Sequence, residues 1–236
     1  MKHTSKIILA LAIAPLSANL YAEGSWKGAA ELGLILTGGN TTTQSTNAKF
    51  NITHERKTTR HEASIEALNV KGEEARLSEK YNAKGKSSYK FGERSYAFLS
   101  VEGEHDPFSG FAYQTSGTLG YGYSVIKSEK TTLDFEGGPG YRETRVRGED
   151  DSVSETMGQV SGNFTYKLSK TAEFSEKVTI AFGEESTISH SVTALTAQIV
   201  GNLAMKTSFS VKNNSNVPDD VDATDYETAM TLVYQF

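Results

Sequence analysis

Residues 113–125 read Tyr-Gln-Thr-Ser-Gly-Thr-Leu-Gly-Tyr-Gly-Tyr-Ser-Val. The odd-numbered positions carry tyrosine, leucine, valine, threonine and glycine, and the positions between them are small or polar. Alternation with a period of two is typical of a β-strand that presents one apolar and one polar face. The stretch predicts a strand at about 112–126, long enough to cross a bilayer at a tilt.

The same alternation recurs along the chain on both sides of this stretch. It is clear at 80–91, at 156–168 and in the last residues, where Met230, Leu232, Tyr234 and Phe236 alternate with Ala229, Thr231, Val233 and Gln235. Twelve strands are predicted, at about 26–37, 43–55, 61–70, 80–91, 95–105, 112–126, 131–144, 156–168, 172–183, 190–201, 204–213 and 225–236.

The connections between these strands alternate in length. Short ones are expected at 56–60, 92–94, 127–130, 169–171 and 201–202, and most of the others are longer; the brief Gly38-Gly39-Asn40 link is the exception to the alternation. A soluble β-sandwich also alternates apolar and polar faces. Three features favour a transmembrane barrel with short periplasmic turns and longer external loops: the alternating connections, apolar faces rich in Tyr, Gly, Ala and Thr, and an end inside a strand on Phe236. The sequence therefore predicts an all-β, antiparallel barrel in the outer membrane.

The polar faces must then point into the barrel. Each lysine of a strand would cost about 2–4 kcal/mol on the lipid side near the midplane. The lumen-facing charged candidates are Lys84, Lys86, Lys90, Glu102, Glu104, Asp134, Glu136 and Arg142. Further charges expected on that face are Lys27, Glu31, Lys49, Glu62, Glu66, Lys167, Glu173, Lys177, Lys206 and Lys212. Glu176 falls on the apolar face by parity, which predicts a bulge or a mistaken register there.

The charged lumen permits two interpretations. One is a pore whose wall selects small charged solutes. The other is an interior that ion pairs hold in shape and largely close. Because both signs occur in similar numbers, the second is favoured, and a barrel of about a dozen strands allows either. The expected function is thus non-enzymatic: a structural component of the envelope or a narrow passive channel.

The first 22 residues have the order of a secretory signal peptide. Lys2, His3 and Lys6 precede an apolar run at 7–16, and Ala22 offers a small residue for cleavage. The run is too short to cross a bilayer as a helix. Residues 1–22 are therefore expected to be removed, and residues 23–236 to form one barrel domain.

Composition excludes several classes. The chain has no cysteine, so it contains neither a disulfide framework nor a thiolate site. Only 37% of residues are hydrophobic and 21 are glycine, little for a packed core but sufficient for a barrel whose apolar side faces lipid. The net charge of −5 and the exported location argue against nucleic-acid binding. We expect no cofactor.

The chain resembles the YdiY-like family of salt-induced outer-membrane proteins, a domain of unknown function. The resemblance covers nearly all of the mature chain, and the segments that carry it are Leu36-Thr37-Gly38-Gly39-Asn40-Thr41, Ser78-Glu79-Lys80-Tyr81, Gly120-Tyr121-Gly122 and Gly138-Pro139-Gly140-Tyr141-Arg142. It implies an outer-membrane barrel linked to the salt response, and it assigns no substrate or catalytic residue. The C-terminal Leu232, Tyr234 and Phe236 look like the terminal signal that the barrel-assembly machinery reads.

An alternative function is an outer-membrane hydrolase or acyltransferase that modifies lipids with a Ser–His pair. His105 and His190 are predicted at outer strand ends, with Ser109, Ser186, Ser189 and Ser191 nearby. The sequence has no Gly-x-Ser-x-Gly elbow and no evident orienting residue, so these histidines are interpreted as rim residues and no catalytic residue is assigned.

The expected partners are membrane lipid and lipopolysaccharide, whose phosphates suit arginine; the arginines considered are Arg142, Arg145 and Arg147. Acidic groups at 149–151 and 219–222 are interpreted as solvated loops rather than metal sites. The oligomeric state is left open.

Overall fold

The computed structural model describes residues 24–37, 43–71, 76–106, 111–146, 152–217 and 222–236. The predicted signal peptide, the Gly38-Gly39-Asn40 link, Arg147 and the acidic residues at 149–151 and 219–221 lie outside these ranges. Among the described residues, none forms a helix long and apolar enough to span a membrane.

Twelve strands follow one another along the chain. They are β1 (Ser25–Thr37), β2 (Thr43–Glu55), β3 (Thr59–Lys71), β4 (Arg76–Lys90), β5 (Ser95–His105), β6 (Phe111–Lys127), β7 (Thr131–Val146), β8 (Ser152–Lys167), β9 (Ala172–Gly183), β10 (Thr187–Val200), β11 (Leu203–Asn214) and β12 (Thr224–Gln235).

Each strand pairs antiparallel with its neighbours in sequence, and β1 pairs with β12 to close the barrel. Two hydrogen bonds finish the closure: Gly28 N donates to Phe236 O over 2.8 Å, and Phe236 N donates to Gly28 O over 2.9 Å. Closure leaves no free edge among the described strands, as a β-structure in lipid requires. The predicted fold class is confirmed.

The two ends of the barrel differ. The terminal end holds both ends of the described chain and the turns at 56–58, 91–94, 128–130, 168–171 and 201–202, and the loop end holds the remaining connections. Several strands continue further toward the loop end than the alternation predicts: β4 begins at Arg76 and β8 at Ser152. At the loop end the backbone hydrogen bonds between strands continue beyond the apolar band. Apolar and polar residues no longer alternate in these extensions, so the sequence pattern does not predict them.

Burial separates the two faces of the wall. In β12, Ala229, Thr231 and Val233 are buried, whereas Met230 and Leu232 between them are exposed. In β6, Leu119 is 62% exposed, and its partner in β5 is Leu99, also exposed. Large apolar side chains thus dominate the outer wall, as on a surface that faces lipid.

The wall ends in an aromatic belt near the terminal end. Trp26 stacks on His54 with ring centroids 4.2 Å apart, and Phe91 lies 5.9 Å from Tyr121. Aromatic girdles of this kind flank the apolar band of membrane barrels.

The expectation of a bulge at Glu176 is wrong. Strand β9 pairs with β8 and β10 without any register shift, and Glu176 lies opposite Phe164 and Thr193 on the outer face. Ser191 Oγ donates to one carboxylate oxygen over 2.7 Å and Thr193 Oγ1 donates to the other. These two hydroxyls of β10 satisfy a carboxylate that the strand would otherwise expose to lipid. The register shifts fall elsewhere, in the pairings of β3 with β4, β6 with β7 and β10 with β11.

Candidate functional site

The candidate site is the charged inner face of the barrel. Strands β4 and β5 build its densest part, because Lys84 and Lys86 of β4 and Glu102 and Glu104 of β5 share the inward parity. Lys84 Nζ donates to Glu102 Oε2 over 2.9 Å, and Asn82 Nδ2 donates to Glu102 Oε1 over 3.0 Å. These partners lie directly opposite or diagonal in the register, so the strand pairing itself positions the pair.

A second ion pair joins strands that are not neighbours. Lys86 of β4 donates to Glu136 of β7, and Tyr96 Oη donates to the same carboxylate oxygen over 2.7 Å. The ammonium also lies 4.8 Å from the centre of the Phe98 ring, where a cation–π contact adds to the attraction.

Two glycines make room for this arrangement. A Cβ atom on Gly122 would overlap the Tyr96 ring, and one on Gly120 would overlap the Phe98 ring. Both rings therefore lie against the wall of β6, and Lys86 reaches Glu136 past them. The inward aromatic residues of β5 explain why alternation is less regular in that strand.

At the terminal end, one carboxylate serves two cations. Glu55 accepts hydrogen bonds from Arg60 and from Lys90, and Lys90 Nζ also donates to the carbonyl oxygen of Arg56 over 3.0 Å. The contact ties the β2–β3 turn to β4. Asp134, in the same half of the barrel, accepts a hydrogen bond from Ser124 Oγ over 2.5 Å.

At the loop end, Arg142 is the most deeply buried charge in the described part of the chain, with 2% of its surface exposed. Its Nε donates to Glu155 Oε1 over 2.8 Å, and its Nη2 donates to Ser186 O over 2.6 Å. Glu185 N donates to the other Glu155 oxygen over 2.8 Å. The Arg142–Glu155 pair thus anchors the β9–β10 connection, and it is not placed to meet lipopolysaccharide.

One more ion pair crosses the lumen near the loop end. Lys212 Nζ of β11 lies 2.6 Å from Glu104 Oε1 of β5. Lys80 Nζ lies 3.5 Å from Glu104 Oε2. A cavity next to this contact is lined by residues of both walls, among them Gln114, Ile188, Asp222 and Asp225.

The eight charged candidates all lie on the inward face. They do not converge on one point but form separate contacts from the terminal end to the loop end. Sequence reasoning missed Glu55, Arg60, Tyr96 and Glu155. Arg60 and Glu155 were assigned to connections, although Glu155 has the parity of the inward Ser161 and Asn163, which is the signal that could have found it.

The two rim histidines lie on opposite sides of the wall. His105 faces outward, where its ring is 6.4 Å from that of Tyr81. His190 faces the lumen, opposite Lys212 in the register, and its Nε2 is 2.9 Å from Ser210 Oγ. A single lipid-modifying site cannot use both. The described residues contain no group of three or more His, Asp or Glu side chains arranged to hold a metal ion.

The sequence model of a family described as "Protein of unknown function, DUF481" matches residues 30–236. The chain is also 30% identical over 216 residues to "Uncharacterized protein YdiY" of Escherichia coli (strain K12), an alignment that covers 90% of this chain and 84% of that protein. The resemblance found in the sequence is thereby confirmed.

Solved structures with the same fold are barrels of the outer-membrane type. The COG4313 outer membrane channel from Pseudomonas putida F1 matches with a TM-score of 0.53 at 9% identity, covering 95% of this chain and all of that chain. The translocator domain of the autotransporter NalP from Neisseria meningitidis also has a TM-score of 0.53, at 10% identity, covering 92% and 90% of the two chains. At such identities the likeness concerns the fold alone.

Proposed function

Since the chain belongs to the DUF481 family and is a β-barrel of the bacterial outer membrane, we propose that it acts as a narrow passive channel for small ions and hydrophilic solutes. One observation carries the proposal. Lys84 and Glu102 point into a closed barrel, yet their side chains are 27% and 37% exposed. Exposure inside a closed wall is exposure to lumen water.

A hydrated lumen argues for passage rather than for a solid interior. In small, filled barrels the inward side chains pack against one another, and larger barrels enclose water. The buried Arg142 is an example of the first kind of packing, and it lies at the loop end. The side chains of Lys49 and Glu66 are 32% and 29% exposed, as expected for charges that face water in a larger barrel.

The charges that line the lumen are mostly paired. Lys49, Lys84, Lys86 and Lys212 each have a carboxylate within 4 Å. Because these charges of opposite sign lie close together, such a channel excludes by size more than by charge. Paired charges also cross-link the wall, so a contribution to envelope structure accompanies the proposed passage.

The orientation follows from the ends of the barrel. Outer-membrane barrels have short turns on the periplasmic side and longer loops outside, so we assign the terminal end to the periplasm. The loop end then meets lipopolysaccharide, and β12 supplies the signal for the barrel-assembly machinery. The link to salt stays a prediction from the resemblance.

We propose no enzymatic activity. The geometry supports this choice, because His190 and Ser210 face the lumen rather than lipid, and His105 is on the other side of the wall. If comparison of membrane lipids by mass spectrometry, with and without the protein, revealed a change in acyl composition, the lipid-modifying alternative would replace the channel.

Conductance of the refolded protein in planar bilayers tests the proposal. Heat-modifiable migration in gels first shows that the sample is folded. We expect discrete single-channel steps that grow with salt concentration, because permeant ions carry the current. A folded sample that stays silent in every salt would contradict the channel and leave only the structural role.

A further inference from the structure

The contact between Glu104 and Lys212, here called the Glu104–Lys212 bridge, joins opposite walls. The twelve strands form a ring in sequence order, and β5 and β11 stand six positions apart in either direction. They are therefore diametrically opposed. A distance of 2.6 Å between Lys212 Nζ and Glu104 Oε1 means that two side chains alone span the lumen.

The bridge is held from more than one side. Lys80, which precedes Glu104's register partner Asn82 in β4 by two residues, places its ammonium 3.5 Å from the second carboxylate oxygen. A carboxylate between two ammonium groups is attracted to both, so its position in the lumen is fixed. The side chains of Lys212 and Glu104 are 22% and 16% exposed, less than those of Lys84 and Glu102.

Pairs of register partners on neighbouring strands leave the passage free. Lys49 and Glu66 are register partners on the neighbouring strands β2 and β3, with Nζ and Oε2 3.2 Å apart. Lys84 and Glu102 are register partners on β4 and β5. Such pairs lie along the wall. The Glu104–Lys212 bridge is different because its bond runs across the axis.

We propose that the Glu104–Lys212 bridge is the constriction of the lumen, and that Glu104 and Lys212 determine the charge selectivity of the ions that pass. The inference rests on the proposed channel function. At a narrow point, one charged side chain on the path of a desolvating ion outweighs many charges along a wide wall.

The two members of the bridge have opposite effects on selectivity. Without the carboxylate of Glu104, the ammonium groups of Lys80 and Lys212 are left at the constriction, which then attracts anions. Without the ammonium of Lys212, Glu104 keeps only Lys80, and Asp222 and Asp225 line the adjacent cavity. This arrangement attracts cations.

Single-channel conductance and reversal potential in a salt gradient test the inference on four variants. Glu104→Gln is expected to raise conductance by roughly twofold or more. It is also expected to shift the reversal potential toward the equilibrium potential of the anion, which indicates greater anion selectivity. Lys212→Gln is expected to raise conductance and to shift the reversal potential toward the equilibrium potential of the cation. The double variant Glu104→Gln/Lys212→Gln is expected to have the higher conductance with near wild-type selectivity. Lys212→Arg is expected to retain the wild-type conductance, because its guanidinium still reaches Glu104.

Lys49→Gln and Glu66→Gln are the matched controls, since they remove the same charges from a pair along the wall. Their conductance is expected to stay close to that of the wild type. Heat-modifiable migration shows whether each variant is folded. If one bridge variant does not fold, the other still has a predicted direction for its change in charge selectivity.

Each outcome decides the matter. A conducting wild type whose bridge variants match the controls overturns this inference and leaves the channel intact. Silence of the wild type and of all variants overturns both. A silent wild type with conducting bridge variants supports the constriction and contradicts passage through the native barrel.

Discussion

At the scale of single residues, the buried pair of Arg142 and Glu155 is the contact on which the loop end depends most. Gly183 makes it possible, because a Cβ atom there would come 2.7 Å from Arg142 Nη2 and closer still to the Glu155 carboxylate. Both side chains of this ion pair have less than a tenth of their surface exposed. Parity predicts that Arg142 faces inward. Glu155 has inward parity as well once β8 is extended to Ser152, but the predicted strand begins only at residue 156, so its partner role was missed.

Glu155→Gln is expected to lower the free energy of unfolding by about 3–5 kcal/mol, because it leaves a buried guanidinium without a compensating charge. Urea unfolding of the refolded protein measures this, and Trp26, the single tryptophan, reports it by fluorescence. Glu66→Gln breaks an ion pair that is exposed to water, and it should lower the free energy of unfolding by about 1 kcal/mol or less. Equal losses in the two variants would contradict the difference in burial on which the prediction rests.

At the scale of the element, alternation located all twelve strands but not their loop-end limits. The period-two signal arises from the difference between lipid and lumen, so it disappears where a strand leaves the apolar band although its hydrogen bonds continue. Strand β9 shows the converse. Its parity places Glu176 outside correctly, and only the hydroxyls of Ser191 and Thr193, which come from another strand, explain why no bulge is needed.

Strand β12 carries the proposed assembly signal, and Phe236→Ala tests it. The Phe236 ring occupies the space next to Gly28, and its backbone closes the barrel, which the substitution preserves. If the ring is read by the assembly machinery, the variant should reach the outer membrane in several-fold lower amount while refolding normally in detergent. Heat-modifiable migration measures both quantities. The control is Tyr226→Ala, an exposed aromatic residue near the other end of β12 and far from Phe236.

Losses of equal size for Phe236→Ala in cells and in detergent would contradict recognition and assign the ring to barrel stability. The same loss in cells for Tyr226→Ala would show that any outward aromatic of β12 has this effect.

At the scale of the whole molecule, the contacts that define the lumen are those that sequence reasoning could not find. Nothing in the spacing between Glu104 and Lys212 suggests a contact. Their proximity depends on the number of strands in the ring and on the width of the closed barrel. Register partners such as Lys49 and Glu66 are within reach of prediction, because a hairpin alone sets their spacing.

In this barrel the apolar face must meet lipid and the charged face must enclose the lumen. Leu119 and Lys86 lie at the same level, since Leu119 pairs with Leu99 and Lys86 pairs with the next residue, Ser100. The chain has no cysteine, so Leu119→Cys and Lys86→Cys each accept a single nitroxide label.

Relaxation of these two labels by oxygen dissolved in the bilayer is the most direct measurement. We predict strong relaxation of the label at position 119 and weak relaxation of the label at position 86, with the reverse order for a water-soluble nickel chelate small enough to enter the lumen. Stronger oxygen relaxation at position 86 than at position 119 would contradict the barrel described above.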